Sequence, residues 1–134
     1  VTPKALATGP KIQATFAKAY KAGVKIAFGT DAGVFMHGKN YLEFQYMTEA
    51  GMPAMEAIKS ATISGATLLG VESILGSIQK DKLADIIAVD GDPLANVREL
   101  ETVDAVVRGG VLIPRDTTIV PPVMPEPVAV SPSE

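Results

Sequence analysis

The sequence predicts an α/β fold that ends in a small sheet of short strands. Three observations predict it. An amphipathic helical stretch runs straight into a short apolar run near residue 24. Two further helical stretches follow at 40–69. From Ile74 onward the apolar residues alternate or cluster in short runs broken by glycine pairs and aspartates.

Pro10 to Ala22 reads as the first helix. Ile12, Phe16, Ala19 and Tyr20 share one face, and Lys11, Lys18 and Lys21 lie outside it. Pro10 suits a first helical turn, and Gly23 suits the position just past the end. Val24–Phe28 then reads as a buried strand. A helix joined this closely to a buried strand is half of a βαβ unit, which implies a parallel sheet. Asn40 to Ala50 reads as the second helix, with Leu42, Tyr46, Met47 and Ala50 inward and Gly51 closing it. Pro53 to Leu69 reads as the third, with Met55, Ile58, Thr62, Ala66 and Leu69 as its apolar stripe and Gly70 as its stop. Its small residues, Ala57, Ala61, Gly65 and Ala66, permit close approach of another element. Candidate strands follow at Gly76–Gln79, Asp85–Val89, Val103–Arg108 and Val111–Ile113. Asp90-Gly91-Asp92-Pro93 and Gly109-Gly110 carry turn chemistry, and "RGGVLI" reads as a closing hairpin.

Six of the ten prolines lie from Pro114 to the end, after all twelve glycines. Residues 114–134 therefore read as an extended, disordered tail, because proline removes backbone donors and fixes φ. The 134 residues are enough for an ordinary core. A net charge of −3 and scattered Lys and Arg give no nucleic-acid footprint. No apolar run approaches the roughly 18 residues a membrane span needs. The absence of cysteine removes disulfides, thiolate ligands and a thiol nucleophile.

The chemistry concentrates in "AFGTDAGVFMHGKN", residues 27–40. An aspartate, Asp31, stands just past the expected strand between Gly29 and Gly33, and His37 is the sole histidine. Asp31 reads either as an Asx-turn residue at a strand exit or as a metal ligand. His37 reads as a solvated loop histidine or as a pH-sensitive substrate contact. Asn40 and Lys39 are pocket neighbours, although a helix N-cap explains Asn40 equally well. Glu43 and Glu49 read as solvated helix-surface carboxylates. Asp90 and Asp92 sit in a turn without the spacing of a calcium loop.

In order, "GVKIAFGTDAG", "HGKN", "EFQYMTEAGMPAMEAIKSATISGATLLG", "LGSIQKDKLADIIAVDGDPLANV" and "VDAVVRGGVLI" resemble the C-terminal third of an amidohydrolase-superfamily enzyme. The likeness is greatest to the imidazolonepropionase-like branch that includes Xaa-Pro dipeptidases. The resemblance implies a fragment of a (β/α)8 TIM-like barrel, its last helix-strand-helix units, plus strands of a small composite β-sandwich. It assigns residues 1–72 to the barrel, 73–113 to the sandwich and 114–134 to the tail. It implies a divalent metal, zinc in one or two ions, with Asp31 as ligand and catalytic acid–base group. The metal would acidify a bound water, and Asp31 would take its proton and pass it to the leaving nitrogen. His37, Gly38 and Asn40 would lie by the substrate.

Two local departures stand out. The family pattern has Thr-Pro where this chain has Pro53-Ala54, and glycine where Asp81 stands. The larger departure is in the ligands. A catalytic zinc takes three protein ligands, and the family's His-x-His pair, lysine and further histidines are not in this sequence. The reading is therefore an incomplete portion of a metal-dependent hydrolase of C–N bonds, dipeptidase-like, inactive in isolation and oligomeric when full length. A cyclic amide is the runner-up substrate. The rival class is a non-enzymatic interaction module that uses the proline-rich tail as a groove ligand.

Overall fold

The computed structural model describes residues 3–33 and 36–114; the expected tail lies outside this range apart from Pro114. Helix α1 spans Pro3–Lys21, α2 Leu42–Glu49, α3 Ala54–Ser60 and α4 Ile63–Leu69. Strand β1 (Ile86–Ala88), a 3₁₀ helix (Val97–Glu101), β2 (Ala105–Arg108) and β3 (Val111–Leu112) complete the order.

Helix α1 begins seven residues before the expected start, so Pro10 lies inside it. A proline costs its own N–H bond and crowds the residue before it. That residue is Gly9, which has no Cβ to clash, and Pro3 takes the tolerated opening position. Lys18 and Lys21 in the last turn complement the helix dipole. Gly23 at φ 77° and Gly51 at φ 98° follow α1 and α2 as the sequence indicates. Tyr46, expected inward, is 50% exposed, while Met47 is buried.

The expected third helix is two helices. α3 stops at Ser60, and Thr62 takes φ −123° and ψ −98° before α4 starts. The Thr62 hydroxyl donates to the Ile58 carbonyl at 2.9 Å, the back-bonding by which Ser and Thr compete with helix geometry. The break rotates the two halves, so the expected stripe holds only at the buried Ala66 and the half-buried Ile58. Met55 and Leu69 are exposed, and the buried positions are Ala57, Ser60 and Ala66. Gly70 at φ 70° ends α4 as expected. Pro53 at the α3 N-cap makes no side-chain cap bond, and Asp81 has φ 69°. Both are the local weaknesses that the two departures imply.

Val24–Phe28 forms no strand. Val24 is 55% exposed, and a ladder needs a partner that the described residues do not supply. The sheet is instead β1-β2-β3, antiparallel throughout, with Ile86 opposite Val107 and Val107 opposite Leu112. Gly109 and Gly110, at φ 55° and 82°, make the hairpin turn that the right-handed strand twist favours. Gly76–Gln79 is not a strand either. That segment folds around the Lys82 ammonium, which donates to the Ser77 hydroxyl at 2.7 Å and to the carbonyls of Glu72 and Leu75. The 3₁₀ helix was not expected, although Asn96 and Glu99 have cap spacing. Asn96 accepts from the Arg98 amide and donates to Glu99.

The core is Met47, Met52 and Ala57, with Phe16, Tyr20, Ile26, Phe28 and Phe44 packed around it. Between α1 and α2 runs an open groove of about 370 Å³ lined by Ile12, Phe16, Tyr46 and Met47. Glu43, read from sequence as solvated, is half-buried in that groove. Burial pushes its carboxyl above the ordinary glutamate value.

Two outcomes follow. A Cβ at Gly76, which has φ 86°, would stand 2.7 Å from the Ala66 Cβ. Gly76→Ala should therefore cost about 2–3 kcal/mol in urea unfolding. For Glu43 the folded state binds the proton more tightly than the unfolded state. Its contribution to stability is thus greatest below the unfolded pKa and falls as pH rises through the raised folded pKa. Glu43→Gln should flatten that slope and be more stable than the parent at pH 7, measured by urea melts from pH 3.5 to 7.

Candidate functional site

The candidate site grows from the end of the 24–28 segment. The Phe28 amide donates to the Ser60 carbonyl at 2.9 Å. Its ring stacks on Phe44 of α2 with centroids 4.5 Å apart. Phe28 is thereby tied to both α3 and α2, and the chain leaves it through Gly29 toward Thr30 and Asp31.

Thr30 and Asn40 close the loop between them. The Asn40 side-chain amide donates to the Thr30 hydroxyl oxygen at 2.7 Å, and both residues are half-buried. This corrects the N-cap reading of Asn40. The cap position belongs to Tyr41, which makes no side-chain cap bond. Lys39 turns to its neighbour, donating to the Tyr41 hydroxyl at 3.1 Å with its ammonium 5.5 Å from that ring.

Asp31 and His37 are both exposed on this loop. Gly33 at φ 117° and Gly38 at φ 81° give the loop turns that an L side chain would strain. Val34 and Phe35 lie outside the described residues. Among the described residues no hydrogen bond holds the Asp31 carboxylate, which leaves both oxygens available to a ligand.

A resident metal can be tested against this donor set. Among the described residues no three of His, Cys, Asp and Glu come together to hold an ion. A catalytic zinc needs three protein ligands. Asp31 fits the chemistry of one ligand, and the site as described does not complete the shell. The other acidic candidates are engaged elsewhere. Asp92 accepts from the Leu94 amide at 2.9 Å, and Asp90 from the Gly91 amide at 3.0 Å. Both serve the turn in which the sequence places them. Glu49 accepts from Gln13 and Gln45 at the surface.

Sequence reasoning missed Thr30 and Ser60. Thr30 had a faint signal, a hydroxyl directly before the aspartate and ten residues before an asparagine. Ser60 had none, because its part is played by a main-chain carbonyl.

The chain resembles several known proteins. The chain is 58% identical to a solved Xaa-Pro dipeptidase with methionine bound in its active site, with a TM-score of 0.79, over 83% of this chain and 27% of that one. It is 30% identical to a prolidase complexed with N-methylphosphonate-L-proline, with a TM-score of 0.69, over 75% of this chain and 26% of that one. It is also 30% identical to the 5-methylthioadenosine/S-adenosylhomocysteine deaminase of Thermoanaerobacter pseudethanolicus, over 69% of this chain and 27% of that protein. The chain thus spans about a quarter of the length of each of these relatives. The model of the amidohydrolase family matches residues 3–113, and the chain belongs to that family.

Proposed function

We propose that this chain is the C-terminal portion of a metal-dependent hydrolase of C–N bonds that cleaves small peptides of the Xaa-Pro type. The observation that carries the reading is the 58% identity to a Xaa-Pro dipeptidase across 83% of the chain. Residues 1–72 are the last units of a (β/α)8 barrel, 73–113 belong to a composite β-sandwich, and 114–134 are a tail. Active sites of such barrels sit where strands end at their C-terminal face, and Asp31 follows the 24–28 segment at that place.

Asp31 is one donor of a divalent metal shell, zinc in one or two ions, whose remaining donors belong to the rest of the barrel. The metal supplies an acidified water and a polarised carbonyl. The exposed Asp31 carboxylate accepts the proton lost during attack and returns it to the leaving nitrogen. His37 and Gly38 border the substrate from the same loop. Asn40 does so with the amide hydrogen and oxygen that its bond to Thr30 leaves free. The full-length protein is a homo-oligomer. A deaminase is the second reading, favoured by the curated relative at 30% identity. It replaces a peptide C–N bond with an exocyclic one and keeps the same water chemistry.

A graft tests the proposal. This chain replaces the C-terminal quarter of the Xaa-Pro dipeptidase relative, and the product is assayed with Xaa-Pro dipeptides and with S-adenosylhomocysteine. Dipeptide turnover is expected, with Asp31→Asn lowering kcat by about 10²-fold or more. The 134-residue chain alone is expected to show no turnover. Turnover of S-adenosylhomocysteine without dipeptide cleavage would transfer the reading to the deaminase. A graft that folds and turns over unchanged with Asn at position 31 would remove Asp31 from the chemistry.

A further inference from the structure

We propose that Thr30 and Asn40 form a clasp that positions Asp31, making both residues positioning groups for that carboxylate. The inference rests on the reading of Asp31 as the ligating acid. Four observations carry it.

First, the clasp is short and sheltered. The Asn40 Nδ2 donates to the Thr30 Oγ1 at 2.7 Å between two half-buried residues ten positions apart. Second, each end is held by something rigid. Thr30 follows Phe28, whose amide and ring are fixed on Ser60 and Phe44. Asn40 stands two residues before α2, which is anchored by the buried Met47. Third, the described part of the enclosed loop is open to solvent around the acid. It contains two glycines at positive φ, and Asp31 and His37 are exposed. Among the described residues no hydrogen bond orients the Asp31 carboxylate, and the Thr30 backbone sets where the Asp31 Cα is carried. Fourth, α2 starts without a side-chain cap. The asparagine beside that start is the residue type that caps best, yet its amide reaches back across the loop.

A bond that served only helix stability would have capped α2. A bond that served only the core would not close on the residue adjoining Asp31. The clasp instead joins the two stems of the loop at its mouth and limits the conformations open to residue 31.

The test uses the full 134-residue chain, ¹⁵N-labelled, with no metal required. Amide exchange across 29–40 and the φ-sensitive HN–Hα coupling of Asp31 are compared in the parent, Thr30→Val, Asn40→Ala, the double variant and Thr30→Ser. The expected result is exchange about fivefold faster at Asp31, Gly33, His37 and Gly38 in each single variant, the factor one net hydrogen bond represents. The double variant should be no faster than either single. Thr30→Ser keeps the hydroxyl and should restore both exchange and coupling. Unchanged exchange and coupling in Thr30→Val would overturn the clasp. Equal acceleration in the loop, α3 and α4 would also overturn it, as it would mark a general stability role. Asp31→Asn tests the proposed chemistry in the graft and should leave loop exchange untouched here. Loss of the metal reading and loss of the clasp are therefore separate outcomes.

Discussion

The hydrogen bond from the Phe28 amide to the Ser60 carbonyl, 2.9 Å long, is the contact on which the rest of the arrangement depends. Without it the 24–28 segment has no main-chain tie to the helices that follow, and the loop bearing Asp31 has no fixed origin. The bond is possible because α3 ends at Ser60. In an unbroken helix that carbonyl would accept from the amide four residues on. The break at Ala61 and Thr62 releases it. The Ser60 hydroxyl meanwhile satisfies itself on the Ala57 carbonyl at 2.6 Å, so a buried polar side chain costs little. Ala57, fully buried, keeps the face of α3 low enough for the core residues to close over it.

The same break explains why the sequence was easier to read for where helices lie than for how they connect. Gly23, Gly51 and Gly70 punctuate the helices by backbone conformation, a property of the residue itself. The expected stripe across Pro53–Leu69 assumed a single helical phase. Thr62 ends that phase through its bond to the Ile58 carbonyl, and a hydroxyl's choice between solvent and its own backbone has no periodicity to read. The 24–28 segment shows the complementary case. Its apolar run is real, but strand structure is a pairing property and needs a neighbour. Pro10 misled for a third reason. Its place at a helix start is a statistical preference that a preceding glycine relaxes.

The candidate site divides along similar lines. Asp31 and His37 stood out because a carboxylate between glycines and a sole histidine are conspicuous in a chain with few such groups. Asn40 was legible as a residue of interest, but its partner was not. A side-chain bond across ten residues depends on where both stems are carried, and that is set by Phe28 and α2. Glu43 read as solvated because its helix position is polar by pattern. Its half-burial comes from α1 packing beside it, a tertiary fact.

The apolar surface along the 24–27 segment bears on the proposed function. Among the described residues the amides of Lys25, Ile26 and Ala27 have no main-chain acceptor. Beside them lies an open groove of about 530 Å³ lined by Val24, Ile26, Met52 and Leu68. Leu68 and the adjoining Leu69 are 75% and 76% exposed. An extended segment with unpaired amides beside exposed leucines favours pairing with another extended segment. Burying each leucine would contribute about 1.5–3 kcal/mol. Under the proposed function the neighbouring barrel strand meets both demands at once, because its backbone pairs with 25–27 while its packing covers the groove. The surface that completes the barrel is then continuous with the segment that delivers Asp31. Under that reading, burial of this face and delivery of Asp31 to the rest of the site would be one event.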